Sequence, residues 1–160
     1  VNMFVFSISP KKINKKFKII FTLIIFFLLM LLLLIFILKR QNTTVKYDGG
    51  VYNTKVENAE DIINFALQFG WKIEAQPEEV TNILIPTYFN DVYEHYNAMQ
   101  KEMGLDLSAY KGKECCKYSF KVLNYPDNDD VNLNLIVFDS RVIGGDISEN
   151  IMDGFIKKFT

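Results

Sequence analysis

The residue types best suited to nucleophilic or metal chemistry in this 160-residue chain are two adjacent cysteines, Cys115 and Cys116, and a single histidine, His95. Neighbouring Cα atoms lie about 3.8 Å apart, short of the roughly 4.4–6.8 Å that an unstrained disulfide spans, so the pair is not expected to bridge itself. In a strand the two side chains point to opposite faces. Cys116 then reads as a small core residue, and Cys115 as exposed and free to link two chains. A metal centre needs further ligands at suitable spacing, and His95 falls in a different helix. A thiol–imidazole hydrolase needs a cysteine activated by a base or a helix N-terminus, whereas Lys113 and Lys117 read as ordinary strand lysines. No catalytic residue, metal site or cofactor is expected.

Three further clusters invite the same scrutiny. Asp127-Asn128-Asp129-Asp130 resembles the start of a calcium loop, but the sixth and twelfth places, where an EF-hand needs Gly and Glu, hold Asn132 and Phe138. A solvated turn is the expectation. Ile143-Gly144-Gly145-Asp146 lacks the spacing of a phosphate loop, and paired glycines in a strand mark a bulge or a close backbone approach. Asn97 and Gln100 lie on or near the buried side of a helix otherwise rich in Tyr and Met. Buried amides must be hydrogen-bonded, so the simplest reading is a network fixing that helix to backbone. The functional reading is a polar spot in a binding groove with Tyr93, Tyr96 and Tyr110 as walls, suited to a peptide or glycan.

These residues are carried by a chain of two characters. Residues 19–38 (IIFTLIIFFLLMLLLLIFIL) hold Thr22 as their sole polar side chain. At about 1.5 Å per residue a helix of this length spans roughly 30 Å, the thickness of a bilayer's hydrocarbon core, and it has no polar face to present to water. The run is longer than a cleaved signal's apolar stretch and exits into Lys39-Arg40-Gln41-Asn42 with no small-residue cleavage site and no cysteine to accept a lipid. It reads as an uncleaved signal-anchor: a basic cytoplasmic tail (1–18), a transmembrane helix (19–38), a linker (39–57) and a soluble domain (58–160).

Charge follows the same division. Residues 1–40 carry seven Lys and Arg and no acid, while the remaining 120 carry eleven Lys and Arg against nineteen Asp and Glu, a net of −8. The basic part suits anionic lipid, and the acidic part makes nucleic acid an unfavourable partner. Five lysines precede the span, and long C-terminal domains translocate largely regardless of charge. The N-terminus is therefore expected in the cytoplasm and the domain outside the cell membrane.

Within the domain, Asn58 caps a first helix ended by Gly70, and 71–76 and 80–85 read as a strand and its return around Pro77-Glu78-Glu79. The longest soluble helix covers 88–103, capped by Thr87 and Gly104, and Asp106 to Tyr110 form one capped turn. Strands follow at 115–123, 131–138 and 142–147, and Ser148 caps a terminal helix to Phe159 whose middle Asp153-Gly154 weakens. The order α-β-β-α-β-β-β-α with hairpin-length connections implies an α+β domain, its sheet mostly antiparallel and its helices on one face.

The stretch Ile85–Gly112, IPTYFNDVYEHYNAMQKEMGLDLSAYKG, resembles an uncharacterised domain family of membrane-anchored proteins in Gram-positive, clostridia-type bacteria. The resemblance continues through Asn124-Tyr125-Pro126, Val142 to Asp146 and Asp153-Gly154-Phe155, covering roughly 58–159. It implies a fold unit and a bacterial envelope setting and carries over no catalytic residue. Together these readings lead us to expect a single-pass, non-enzymatic module that binds a protein or envelope ligand. The alternative is a small regulatory or inhibitory domain for a membrane or wall protease or a signalling receptor.

Overall fold

The computed structural model describes residues 15–41 and 43–160 and divides into two compact units at the junction of Asn42 and Thr43. The first holds helix α1 (Lys15–Gln41), whose stretch from Lys15 to Ile37 is long and apolar enough to cross a bilayer by length and composition. Its large apolar side chains from Phe17 to Ile37 are exposed, and Thr22 satisfies its hydroxyl on the carbonyl of Lys18 at 2.9 Å. The basic tail ahead of Lys15 lies outside the described residues.

The second unit begins where a linker was expected. Thr44–Tyr47 (β1) and Gly50–Asn53 (β2) pair antiparallel around Asp48-Gly49. Asp-Gly between two alternating runs is a strong two-residue hairpin signal, which the paired glycines had disguised as flexibility. Tyr52 anchors this hairpin: it is buried against Phe65, Phe69 and Phe159, and its hydroxyl donates to the carbonyl of Met103 at 2.7 Å.

Helix α2 (Ala59–Leu67) is capped by Asn58, whose side chain accepts from the Asp61 N–H, and Asp61 in turn accepts from the N–H of Glu57 at 2.8 Å. After Gly70 the two expected strands do not fold back on each other. They lie in tandem along one edge of β4 (Glu114–Lys121): Ile73 makes a single bridge to Val122, and β3 (Glu79–Leu84) pairs with Ser119 to Glu114. Pro77 lies between them without an N–H to continue a ladder.

Helix α3 (Asp91–Glu102) starts later than expected, with Asn90 rather than Thr87 accepting from the Tyr93 N–H. A 3-10 turn, Leu107–Tyr110, follows, capped by Asp106. Strands β5 (Val131–Phe138), β6 (Arg141–Glu149) and β7 (Ile156–Lys157) complete a five-stranded antiparallel sheet in the order β3-β4-β5-β6-β7. The expected terminal helix is absent: β6 runs on through Ser148, Asp153 adopts a positive φ of 63°, and the chain returns as β7. Phe159 is drawn into the core, and its carbonyl accepts from the Trp71 indole N–H at 2.7 Å, contacts a helix would have forfeited.

The α+β class with an antiparallel sheet holds. The helices, however, serve residues of opposite register instead of one face. Ile62, Phe65 and Ala66 of α2 pack with Phe120, Val122, Leu133 and Leu135. Tyr93 and Tyr96 of α3 pack with Cys115, Ile136 and Ile143 beside Leu107. Both faces of the sheet therefore carry buried apolar side chains, which suits a small domain short of core volume.

Gly104 closes α3 at a φ of +78°, and a Cβ there would meet the Lys46 carbonyl oxygen of β1 at 2.2 Å. Gly104→Ala is expected to cost about 2–3 kcal/mol by combining left-handed strain with a backbone clash. Thermal unfolding followed by near-UV circular dichroism checks this; a variant as stable as the parent would show that the hairpin does not press on α3.

Candidate functional site

The amides singled out in the sequence are deeply buried and fully engaged. Asn97, 1% exposed, donates to Asp106 Oδ1 at 3.0 Å and accepts from the Leu107 N–H at 2.8 Å, tying α3 to the 3-10 turn. Partial burial works to raise the Asp106 carboxyl, but the bonds from Ser108 and Asn97 outweigh it and hold the group below the usual range. Gln100, 0% exposed, donates from Nε2 to the Gly145 carbonyl at 3.0 Å and accepts at Oε1 from the Gly145 N–H at 2.9 Å. The side-chain amide thus bonds one residue of β6 in the way a neighbouring strand would.

A second polar chain crosses the sheet in register. Ser119, Asn134 and Asp146 are cross-strand partners on β4, β5 and β6. The Ser119 hydroxyl donates to Asn134 Oδ1 at 2.6 Å, Asn134 Nδ2 donates to Asp146 Oδ1 at 2.8 Å and to Ser148 Oγ at 2.7 Å, and the Tyr96 hydroxyl donates to Asp146 Oδ2 at 2.7 Å. Burial first, then the Asp146 carboxylate, pushes the Tyr96 phenol well above its ordinary value. Strand alternation marks Ser119 and Asn134 as solvent-facing; covering that face buries them, and each then needs its partner. Among the described residues no buried side-chain nitrogen or oxygen lacks one.

The tyrosines named as groove walls are half-buried and pack on neighbouring rings. Tyr93 lies 6.3 Å from Tyr96 and 4.9 Å from Phe89 between ring centroids, and Tyr110 sits on Phe138 at 5.6 Å. Cys115 reverses its expected place: it is 5% exposed beneath Ile85, Phe89 and Leu107, and burial pushes its thiol up, away from the reactive thiolate. It is also withdrawn from the interchain disulfide considered for it, because residues from both sides of the sheet are covered. Cys116 is the half-buried member, and both thiols are free. His95 is exposed, with Nδ1 2.6 Å from the Asp91 carbonyl. Asp127 to Asp130 form a turn closed on Asn128, and no group of three or more His, Cys, Asp or Glu among the described residues could hold a metal ion. At the paired glycines the register of β5 and β6 shifts, and a Cβ on Gly145 would meet the Asn134 carbonyl at 2.4 Å.

An open cleft lies on the other side of the sheet, beside the start of α2. A cleft of about 210 Å³ is walled by Tyr118, Phe120 and Val137 from the sheet, by Val56 to Ala59 and Ile62 from the α2 approach, and by Ala75, Gln76 and Pro77. The α2 N-terminus offers it no anion site, since Asn58 and Asp61 already cap that turn. Tyr118 is lifted by a hydrogen bond with Cys116 and then by burial, so it presents a neutral phenol. Sequence reading missed this cleft because Tyr118 and Ala75 alternate as ordinary core-facing strand residues, and their exposure depends on how α2 is placed.

A family model described as Domain of unknown function (DUF4830) matches residues 65–147, a span that includes all of β3, α3, β4 and β5. No curated protein matches the chain, and no solved structure does.

Gln100→Leu is expected to cost about 2–4 kcal/mol, because it strands the N–H and C=O of Gly145 in the interior. Urea unfolding reads this directly, and an unchanged midpoint would deny the amide its place in the sheet. A second outcome concerns alkali. Burial, then Tyr47, raises the Tyr52 phenol as well, so Tyr52 and Tyr96 keep their protons when folded to a higher pH than the ordinary value of about 10 that applies unfolded. Stability is full below about pH 10 and falls as pH rises beyond it, and the fall should be shallower in Tyr52→Phe. An equal slope in parent and variant between about pH 9 and pH 11 would refute it.

Proposed function

The chain belongs to the DUF4830 family of domains of unknown function, and we propose that it is a single-pass membrane protein whose folded domain, outside the cell membrane, binds a polypeptide or envelope ligand without transforming it. The observation that carries this reading is the character of the open cleft. Its lining of aromatic, aliphatic and amide side chains includes one charged residue, Glu57, and that carboxylate pairs with Lys55 at 2.9 Å. Such walls hold an apolar group by contact and orient it through a few polar atoms. The hydroxyl, amide, thiol and carboxyl groups better suited to reaction are engaged in the interior at Tyr96, Asn134, Asp146 and Cys115. The length and composition of α1 support the anchor, and the lysines ahead of it support an inward N-terminus.

Two measurements test the proposal. Protease added to intact cells should remove a C-terminal tag from the full-length chain; a protected tag would overturn the outward orientation. Ala75→Trp fills the cleft from an exposed position and should change stability by less than about 0.5 kcal/mol. The full-length chain, solubilised and immobilised, should retain a component of the envelope fraction that Ala75→Trp does not retain. Equal recovery by parent and variant would remove the cleft from the function.

A further inference from the structure

Strand β3 leaves one edge of the five-stranded sheet open, and its residues are arranged to be read by a copy of themselves. The N–H of Ile85 bonds the Lys113 carbonyl, and Cys116 through Val122 alternate toward β5, as the Val122 N–H bond to the Val131 carbonyl shows. By the alternation of an antiparallel ladder, Thr81 and Ile83 therefore bond β4, while Val80, Asn82 and Leu84 direct their N–H and C=O groups away from the sheet. No hydrogen bond among the described residues uses those outward groups. On the same face, Val80 and Leu84 are 53% and 59% exposed, and Asn82 between them is exposed as well.

We propose that the protein self-associates through β3, two copies pairing antiparallel about Asn82 to form one continuous ten-stranded sheet. Outward groups can bond only with outward groups, so even-numbered residues must pair with even-numbered ones. Of the registers this permits, the one centred on Asn82 is the one that satisfies Val80, Asn82 and Leu84 in both copies, giving six ladder bonds. It sets Val80 opposite Leu84 twice and Asn82 opposite Asn82. It also sets Thr81 opposite Ile83, and nowhere does it oppose like charges. A slip of two residues one way brings Pro86, which has no N–H, against Val80. A slip the other way brings Glu78, whose N–H is already given to the Ser119 carbonyl, against Leu84. The apolar pair placed symmetrically about a neutral centre favours a second copy over an unrelated strand.

The contrast with the other end of the sheet supports this. There β7 is two residues long, ends in Lys157 and is followed by Lys158, the short and basic edge by which proteins discourage pairing. Strand β3 is six residues long, with no lysine, proline or register shift within it.

The test uses the full-length chain in detergent. In the proposed register the two Asn82 Cα atoms lie about 5.5 Å apart, within disulfide range, whereas the two Val80 Cα atoms are about 13 Å apart along the strands. Asn82→Cys should give a covalent dimer on mild oxidation, well above the parent chain with its native cysteines and above Val80→Cys. Sedimentation in density-matched detergent should show the parent as a dimer, and both Asn82→Pro and the double variant Val80→Lys/Leu84→Lys should weaken it roughly tenfold or more. The lysine variant alters exposed side chains only, so it reports on association even where proline disturbs the strand. A parent that stays monomeric overturns the proposal. So does an Asn82→Cys chain that cross-links no better than Val80→Cys, or a dimer that both β3 variants leave intact, which would place the contact in α1. A different protein found paired to β3 would overturn it equally.

Discussion

A strand inside a sheet must hydrogen-bond on both sides, and the structure turns on how β6 meets that demand. Strand β5 takes one side along its length. The other side is closed by three unlike devices. At its start, the Val142 N–H bonds the Thr54 carbonyl, and Val56 bonds Ser140, so the segment after β2 serves as a short neighbour. At its end, β7 pairs with Ile147 and Ser148. Between them no strand among the described residues pairs with β6, and the amide of Gln100 fills the gap by bonding both groups of Gly145. Leaving those two groups unpaired would cost each its desolvation, which is why a side chain with one donor and one acceptor is found there. The same bond pins α3 to the sheet, and with it the 3-10 turn that Asn97 holds.

That docking decides the chemistry of the face beneath it. Once α3 lies over Cys115, Ile136 and Asp146, Ser119 and Asn134 on the same face are withdrawn from water. Ser119, Asn134, Asp146 and Tyr96 respond by completing one another across three strands and a helix. A hydroxyl, a carboxylate and a phenol in sequence look like acid–base machinery, yet each donor here ends on an acceptor within the chain. The cleft next to Tyr118 lies on the opposite face, beside the N-terminal turn of α2.

What was legible in the sequence was whatever local pattern alone determines. Asn58 as a cap, Gly70 and Gly104 as stops, the turn at Asp106 and the strands around Phe120, Leu133 and Val142 are consequences of periodicity and of side chains bonding their own backbone, and the structure has them. The failures share a different cause. The pairing of 71–76, the fate of 148–159 and the burial of Cys115 depend on which distant segment arrives alongside. Alternation in Trp71 to Gln76 reads the same whether the partner is the next run of chain or the edge of β4. Ser148 and the residues after it have a plausible cap and weak helical character, but the aromatic pocket of Tyr52, Phe65 and Phe69 has room for Phe159, and burial outweighs the cap. The amides Asn97 and Gln100 were legible as network members; that Gln100 answers a strand was not, because Gly145 lies 45 residues away.

The two glycines of β6 show how closely the sheet and α3 are matched. A Cβ at Gly144 would meet Leu107 Cδ2 at 2.9 Å, and one at Gly145 would meet both the Asn134 carbonyl at 2.4 Å and the Phe159 ring at 3.2 Å. Adjacent strand residues present opposite faces, so these two positions admit close neighbours on both sides of the sheet at one point along it. The register shift beside Ile143 lies at the same place. The point where the backbone is approached from both faces is thus also where an amide replaces a strand, and each feature requires the others. Without the glycines α3 stands off the sheet, without contact Gln100 cannot reach Gly145, and without Gln100 the bare backbone the glycines expose would have no partner.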